Sequence, residues 1–163
     1  MRTVGILVAS DQGSKGLRVD ESGALIKQMV EEKGYQVVYE VMVSDDIEVL
    51  REAMLHMADA LKCHLILTTG GTGFSKRDNT PEATVQVIER PCPGIVEAMR
   101  WISFQKTPKA MLSRAAAGIR GDSIIVNLPG SPKAVRECLE VILEALAHGI
   151  DILVGDAREC ASK

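Results

Sequence analysis

Short apolar runs alternate with longer amphipathic runs along this chain, and this alternation is the feature that most limits its fold. Residues 4–8 and 65–69 are apolar runs of strand length, whereas residues 20–33 repeat apolar side chains at helical spacing. Buried strands separated by amphipathic helices are typical of parallel βαβ units. We therefore predict an α/β fold: a three-layer, doubly wound, mostly parallel sheet with helices on both faces and a small β-hairpin subdomain.

Cap and turn residues predict where the other elements begin. Thr80 before Pro81 and Ser131 before Pro132 are typical of helix starts, and Gly121 predicts a hairpin turn. The remaining predicted elements are a strand over 35–43, a helix from Asp45 or Asp46 to about residue 61, a short helix from about Gly94, and hairpin strands over 115–119 and 123–127. We expect one domain over residues 1–155 and a loose C-terminal tail over 156–163.

The composition argues against several classes of protein. With 163 residues, of which 46% are hydrophobic, the chain is long enough to close one hydrophobic core. Only 3% of the residues are aromatic, which is too few for the stacking platform of a single-strand nucleic-acid binder. The net charge of −3 argues against sequence-independent binding of nucleic acid or an acidic membrane. We predict no nucleic-acid partner and no membrane association.

The cysteines and apolar runs bear on the compartment. Cys63, Cys92, Cys138 and Cys160 form no CxxC pair and have no zinc-site spacing. The first apolar run is too short for a signal sequence, and no stretch approaches the roughly 20 apolar residues of a membrane span. We predict a cytoplasmic protein with reduced thiols.

The loop after the third predicted strand carries the most specific signal. Ligands of open α/β sheets bind beyond the carboxyl ends of the strands, and here the strand runs into Gly70, Gly71, Thr72 and Gly73. Glycines allow positive φ and let backbone N–H groups converge on an anion. No Gly-Lys-Ser/Thr ending follows, so the run is not a P-loop. We predict a phosphate-binding loop; the alternative is a tight turn without a ligand.

Two aspartates lie in the loops of the same predicted sheet edge. Asp45 and Asp78 would suit Mg²⁺, which binds one or two carboxylates together with substrate phosphates. The alternatives are that Asp45 or Asp46 only caps a helix and that Asp78 only caps the helix start at Thr80-Pro81 or holds its loop. Gly130 and Ser131, at a helix N-terminus, predict a second anion-binding loop, although Ser131 also suits a structural cap.

The middle of the chain is basic. Residues 74–136 contain ten basic and five acidic side chains, which predicts a local site for an anionic small molecule; a chance surface fluctuation is the alternative. We expect two or three of the following to contact it: Lys76, Arg77, Lys106, Lys109, Arg114 and Lys133. We assign structural roles to His56, His64 and His148, because no Ser/His/Asp or Cys/His arrangement indicates nucleophilic catalysis.

Four motifs occur together in this sequence. They are Thr68-Thr69-Gly70-Gly71-Thr72-Gly73, Arg77-Asp78-Asn79-Thr80-Pro81-Glu82-Ala83-Thr84, Met111-Leu112-Ser113-Arg114 and Asn127-Leu128-Pro129-Gly130-Ser131-Pro132-Lys133-Ala134. Together they resemble the molybdenum-cofactor biosynthesis Mog/MoaB family, whose relatives include the gephyrin and plant G domains. The resemblance runs from about Thr3 to Val154.

This resemblance implies an activity, a cofactor and an assembly. The implied activity is molybdopterin adenylyltransferase: AMP passes from ATP to the terminal phosphate of molybdopterin, and pyrophosphate is released. Mg²⁺ is the implied cofactor, and a homotrimer or hexamer is the implied assembly, with other molybdenum-cofactor enzymes as further partners.

The resemblance also assigns residues. It implies Asp45 and Asp78 as the catalytic, Mg²⁺-binding carboxylates. The implied nucleotide or phosphate ligands are Gly70, Gly71, Thr72, Gly73, Gly130 and Ser131. The implied pterin side consists of Asp11, Ser113 and Arg114.

Two other functions remain open at this stage. One is a non-catalytic paralogue that binds a pterin or nucleotide, or acts as a scaffold in the same pathway; retention of both Asp45 and Asp78 favours the enzyme. The other is a phosphohydrolase, which lacks an evident base. The shortage of aromatic residues predicts that backbone groups and aliphatic walls hold an adenine, with Phe74 as the ring nearest in sequence. Trp101 and Phe104 are then expected in the core or in a subunit interface.

Overall fold

A computed structural model describes residues 1–156, so Cys160 and all of the predicted tail except Asp156 lie outside the described residues. The elements follow in chain order: β1 (Thr3–Ala9), α1 (Asp11–Ser14), α2 (Glu21–Glu32), β2 (Gln36–Val43), α3 (Ile47–Leu55) with a π-helical turn (His56–Ala60), β3 (Leu65–Thr69), α4 (Thr80–Val87), β4 (Arg90–Pro91), α5 (Pro93–Phe104), a 3₁₀ turn (Pro108–Leu112), β5 (Ala117–Arg120), β6 (Ser123–Leu128) and α6 (Pro132–Leu153).

The strands form a mixed sheet in the order β2-β1-β3-β6-β5-β4. The pairs β1–β2, β1–β3 and β3–β6 are parallel, whereas β5 runs antiparallel to both β6 and β4. The predicted hairpin is therefore present as β5–β6, and it extends the parallel sheet at one edge. The four parallel strands end at the same edge, so the loops that follow them are brought together.

Helices cover both faces of the sheet, as predicted. On one face α2, α5 and α6 pack over β1, β3 and β6 through buried side chains such as Ile26, Met99 and Leu139. On the other face α3, the π-helical turn and α4 contribute Leu50, Met57 and other buried residues to a second cluster. Among residues 1–156, no helix combines the length and apolar character required to cross a bilayer.

Several predicted details differ from the structure. Helix α4 includes Thr80, whose hydroxyl donates to the carbonyl of Gly70 at 3.0 Å instead of capping the helix. The helix expected to be short, α5, has 12 residues. Trp101 on α5 is 66% exposed and Phe104 is 44% exposed. Of the two predicted locations, the core is therefore wrong, because both residues occupy the solvent-facing side of α5; their place in a subunit interface stays a prediction.

A buried amide joins the sheet to its neighbours. Asn127 on β6 is fully buried, and its Nδ2 donates to Thr68 Oγ1 at 3.0 Å and to Thr84 Oγ1 at 2.8 Å. Its Oδ1 accepts from the backbone N–H of Ala116 at 3.0 Å. One side chain thus links β3, β6, α4 and the segment before β5, and it fixes the strand ends from which the neighbouring loops depart.

We expect Asn127→Ala to lower the free energy of unfolding by about 2–3 kcal/mol, because buried polar groups lose their partners. Urea denaturation measures this change. Gln86→Ala removes an exposed amide from α4 and serves as the control, with an expected change within about 0.5 kcal/mol. Equal losses in the two variants would contradict the structural role of Asn127.

Candidate functional site

A cavity of about 750 Å³ opens at the carboxyl edge of the parallel strands. It lies between the loops after β1, β2, β3 and β6 and the N-terminal ends of α2 and α6. The predicted site residues that line it are Asp45, Gly70, Gly71, Asp78, Gly130 and Ser131. The predicted residues Asp11, Thr72, Gly73, Ser113 and Arg114 are not among the lining residues.

The backbone at Gly70 and Gly71 passes too close to its neighbours to carry a side chain. Gly70 has φ +90°, and a Cβ there would lie 2.5 Å from the carbonyl oxygen of Ala9. Gly71 has φ +69°, and a Cβ would overlap the hydroxyl of Thr80 and lie 3.2 Å from Asp45 Oδ1. Positive φ and close approach therefore both require glycine at these positions, and the loop backbone borders the Asp45 carboxylate.

The backbone N–H groups of this loop have few hydrogen-bond partners among residues 1–156. Within residues 1–156, no hydrogen bond uses the N–H of Gly71, Thr72 or Gly73. The carbonyls do have partners: Gly71 O accepts from the N–H of Thr80 at 3.2 Å. The loop therefore has donors to offer to an anion, as the phosphate-loop prediction requires.

Arg114 holds the far side of the same loop. Its N–H donates to Thr72 O at 2.9 Å, its Nε to Gly73 O at 2.8 Å and its Nη2 to Asp78 O at 2.8 Å. Its Nη1 forms an ion pair with Glu82. This guanidinium thus shapes the site through the loop backbone. Direct contact of Arg114 and the neighbouring Ser113 with a pterin stays a prediction.

Asp45 is a partly buried carboxylate at the cavity wall. Its Oδ2 accepts from the N–H of Asp11 at 3.0 Å. Burial raises the pKa of Asp45, and the carboxylates of Asp11 and Asp78 raise it further. The helix-cap alternative for Asp45 is wrong, because the cap of α3 is Asp46, whose Oδ1 accepts from the N–H groups of Glu48 and Val49.

Asp78 and Asp11 both have partners in the chain. Asp78 Oδ2 accepts from the N–H of Ser75 at 3.0 Å, so this residue helps to hold its loop as well as lining the cavity. The guanidinium of Arg77, together with the N–H of Asp45, lowers the pKa of Asp11 to about 2. The carboxylate of Asp11 therefore already accepts hydrogen bonds from Asp45 and Arg77.

The charged residues that line the cavity differ from the basic side chains predicted for the site. Of the six predicted cations, Arg77, Lys106 and Arg114 form ion pairs with Asp11, Glu137 and Glu82, and the cavity lining includes none of the six. Arg18, from the loop before α2, is the cation that lines it.

The full set of charged lining residues is Arg18, Asp20, Glu21, Asp45 and Asp78. Arg18 was not among the predicted site residues, because the candidates in the loop after β1 ended at Asp11. Carboxylates outnumber cations in this lining, so a cation bound with a polyanionic ligand would reduce the repulsion between ligand and lining.

The donor set fits a partly protein-bound Mg²⁺. Among residues 1–156 there is no cluster of three or more His, Cys, Asp or Glu side chains that could enclose a metal ion. Asp45 and Asp78 provide two carboxylates beside the loop with available N–H groups. Mg²⁺ suits such an arrangement, because it keeps several waters and takes further oxygens from phosphates.

The apolar part of the lining is aliphatic. Val8, Val19 and Met42 line the cavity, whereas Phe74 does not and is 71% exposed. The expectation of aliphatic walls fits this arrangement. The proximity of Phe74 in sequence does not bring its ring into the wall of this cavity.

Comparison with known proteins identifies the family. A family model described as "Probable molybdopterin binding domain" matches residues 5–148, and the chain belongs to this family. It is 41% identical to the molybdopterin adenylyltransferase of Helicobacter pylori (strain ATCC 700392 / 26695), over 98% of this chain and 92% of that protein. It is 45% identical to Dictyostelium discoideum gephyrin over 92% of this chain, a region that makes up 22% of gephyrin.

The fold is also that of solved relatives. The crystal structure of the molybdopterin biosynthesis enzyme MoaB from Thermus thermophilus superimposes with a TM-score of 0.90 at 42% identity. The match covers 95% of this chain and 98% of that one.

We expect Asp45→Asn to raise the melting temperature at pH 7. A carboxyl whose folded pKa is raised loses stability as pH rises through that pKa, whereas Asn stays neutral and keeps an acceptor for the Asp11 N–H. The gain should vanish near pH 3, where Asp45 is protonated in the wild type. Differential scanning calorimetry across pH measures it, with the exposed Asp122→Asn as control. A lower melting temperature at pH 7 would contradict the electrostatic cause.

We expect Gly70→Ala to cost clearly more stability than Gly34→Ala. Both glycines have similar positive φ, +90° and +82°, but a Cβ at Gly34 meets open space. Gly34→Ala should therefore lose only the left-handed strain of about 1–2 kcal/mol. Gly70→Ala must also displace the backbone from Ala9, so urea denaturation should show a clearly larger loss for this variant. Similar losses in both variants would argue against the close approach.

Proposed function

We propose that this chain is a Mg²⁺-dependent molybdopterin adenylyltransferase that acts in molybdenum-cofactor biosynthesis. It would transfer AMP from ATP to the terminal phosphate of molybdopterin and release pyrophosphate. The observation that carries the proposal is the cavity in which Asp45, Asp78 and the Gly70–Gly71 backbone meet, in a chain whose relatives over nearly full length are named molybdopterin adenylyltransferases.

The glycine loop and the N-terminus of α6 would bind phosphates. The loop offers the N–H group of Gly71 in the cavity lining, with those of Thr72 and Gly73 next to it in the chain. Ser131 places the positive end of the 22-residue helix α6 at the cavity. Backbone donors of this kind suit anions because they carry no competing side chain. Gly130 lies beside the loop, with 3.7 Å between the Cα of Gly70 and a Cβ built at Gly130. The two loops together would bind one polyphosphate chain.

Asp45 and Asp78 would hold Mg²⁺. Support comes from the position of Asp45, which lines the cavity together with Asp78 and borders Gly71 of the glycine loop. When bound, Mg²⁺ supplies positive charge that neutralises the pyrophosphate leaving group. Arg18, also in the lining, would add a second positive charge near the same phosphates.

The chemical step is a phosphoryl transfer in which orientation supplies most of the rate. An oxygen of the molybdopterin terminal phosphate forms a bond to the α-phosphorus of ATP. The bond from that phosphorus to the bridging oxygen breaks, and the electron pair leaves with pyrophosphate. The chain's residues would align the two phosphates along the Gly70–Gly71 backbone and limit water entry with Val8, Val19 and Met42. Of the residues predicted for the pterin side, Ser113 and Arg114 keep that assignment.

The proposal extends to assembly and compartment. A homotrimer or hexamer is supported by the exposed apolar side chains of Trp101 on α5 and Met111 in the following turn, which subunit contacts would cover. A cytoplasmic location is supported by Cys63 and Cys138, which are buried and free, with Cys92 also free. Partners would be molybdopterin, ATP and other molybdenum-cofactor enzymes.

Pyrophosphate release from ATP and molybdopterin tests the activity. We expect Asp78→Asn to lower kcat by roughly 100-fold or more, because it removes a group that supports charge neutralisation in the transition state. Asn keeps an acceptor for the Ser75 N–H, so the loop and the melting temperature should be preserved. Asp122→Asn, in the β5–β6 turn, is the matched control and should retain full activity.

A coupled phosphate assay with added Mg²⁺ measures the rate. A wild-type protein that binds ATP without releasing pyrophosphate would favour the non-catalytic binding paralogue. Normal turnover by Asp78→Asn would contradict the metal role of this residue.

A further inference from the structure

We infer that Asp11 is a positioning residue for the metal-binding carboxylate Asp45, and that it acts through paired backbone hydrogen bonds and an ion pair with Arg77. The inference rests on the proposed function and assigns Asp11 a role different from the pterin contact predicted from sequence.

Asp11 and Asp45 hold each other in a reciprocal pair. The N–H of Asp11 donates to Asp45 Oδ2 at 3.0 Å, and the N–H of Asp45 donates to Asp11 Oδ1 at 2.9 Å. The first bond orients the Asp45 carboxylate and the second fixes the backbone that carries it. These two bonds join the loop after β1 to the loop after β2, across 34 residues of sequence.

Arg77 joins the same carboxylate to the third loop. Its Nε donates to Asp11 Oδ2 at 3.0 Å and its Nη2 to Asp11 Oδ1 at 2.9 Å. Arg77 directly precedes Asp78 in the chain, so a side chain that binds Asp11 also restrains the backbone beside the second proposed metal ligand. Asp11 thus bonds both to Asp45 and to Arg77, the residue next to Asp78.

Both carboxylate oxygens of Asp11 accept hydrogen bonds from other residues of the chain. Oδ1 accepts from Asp45 N–H and Arg77 Nη2, and Oδ2 accepts from Arg77 Nε. The cavity lining includes Asp45 and Asp78 but not Asp11. A substrate contact would have to compete with a bidentate guanidinium, whereas a positioning role uses the bonds that are present.

Such positioning has a physical purpose at this site. Asp45 and Asp78 both line the cavity, and two carboxylates at one site repel each other in the absence of a cation. Without restraint, their loops would relax apart and lose the arrangement that binds Mg²⁺. Partners that orient metal-binding carboxylates typically contribute roughly 10- to 100-fold to metal affinity.

Asp11→Ala tests the inference in titrations of ATP at graded Mg²⁺ concentrations. We expect the Mg²⁺ concentration for half-maximal ATP binding to rise by roughly 10- to 100-fold, with a fall in kcat and little change in the KM for molybdopterin. Asp11→Asn keeps an acceptor for the Asp45 N–H and should recover part of the Mg²⁺ affinity. Arg77→Gln, which leaves the reciprocal pair intact, should have an intermediate effect.

Asp59→Ala is the matched control. Asp59 and Arg120 form the same bidentate pair, at 2.9 Å and 2.8 Å, between the π-helical turn and β5. Its loss should leave Mg²⁺ dependence unchanged. If Asp59→Ala weakened Mg²⁺ dependence equally, the effect of Asp11→Ala would be general destabilisation and the inference would fail.

Two other outcomes separate this inference from the proposed function. A higher KM for molybdopterin in Asp11→Ala with unchanged Mg²⁺ dependence would overturn the inference and restore the pterin contact. A wild-type protein that shows Mg²⁺-dependent ATP binding without pyrophosphate release would contradict the proposed function, while the binding titrations would still decide the role of Asp11. Wild-type ATP binding without any Mg²⁺ dependence would overturn the inference directly.

Discussion

The approach of the Gly70–Gly71 backbone to the end of β1 is the contact on which the site depends. The carbonyl of Ala9 lies where a side chain of Gly70 would stand, and Asp45 borders Gly71. Because the approach is so close, the turn after β3 stays between its neighbours instead of projecting into solvent. The hydroxyl of Thr80 bonds to Gly70 O and fixes the start of α4 to the same turn. Cavity wall, helix start and strand end are therefore set together.

Charge distribution follows from this geometry. The strand ends bring several carboxylates to one edge, and basic side chains of the middle segment pair with acidic partners outside the cavity, as Lys106 does with Glu137. The result is a cavity lining in which carboxylates outnumber cations.

The sequence predicted the helices and strands better than the contacts made by the loops between them. Period and capping signals located β3, the N-cap Ser131 and the hairpin, because each depends on neighbouring residues. The role of Arg114 could not be predicted in this way, since the partners of its guanidinium lie 32 to 41 residues away. The same holds for Arg18: nothing local in its exposed loop indicates that it lines a cavity whose other loops are distant in sequence. The roles of the site residues in binding and catalysis remain predictions.

Helix α6 determines when the fold is completed during synthesis of the chain. Its buried face, including Val135, Leu139 and Leu146, completes the larger core cluster, and its first turn lines the cavity. Its last turn is tied back to the start of β1 by the bidentate pair of Asp151 with Arg2. The segment that closes the core and the cavity is thus synthesised after all six strands of the sheet. A nascent chain that ends before Pro132 lacks the α6 side of the cavity, and one that ends before Asp151 also lacks the pair with Arg2, so the fold is completed only after α6 has been synthesised.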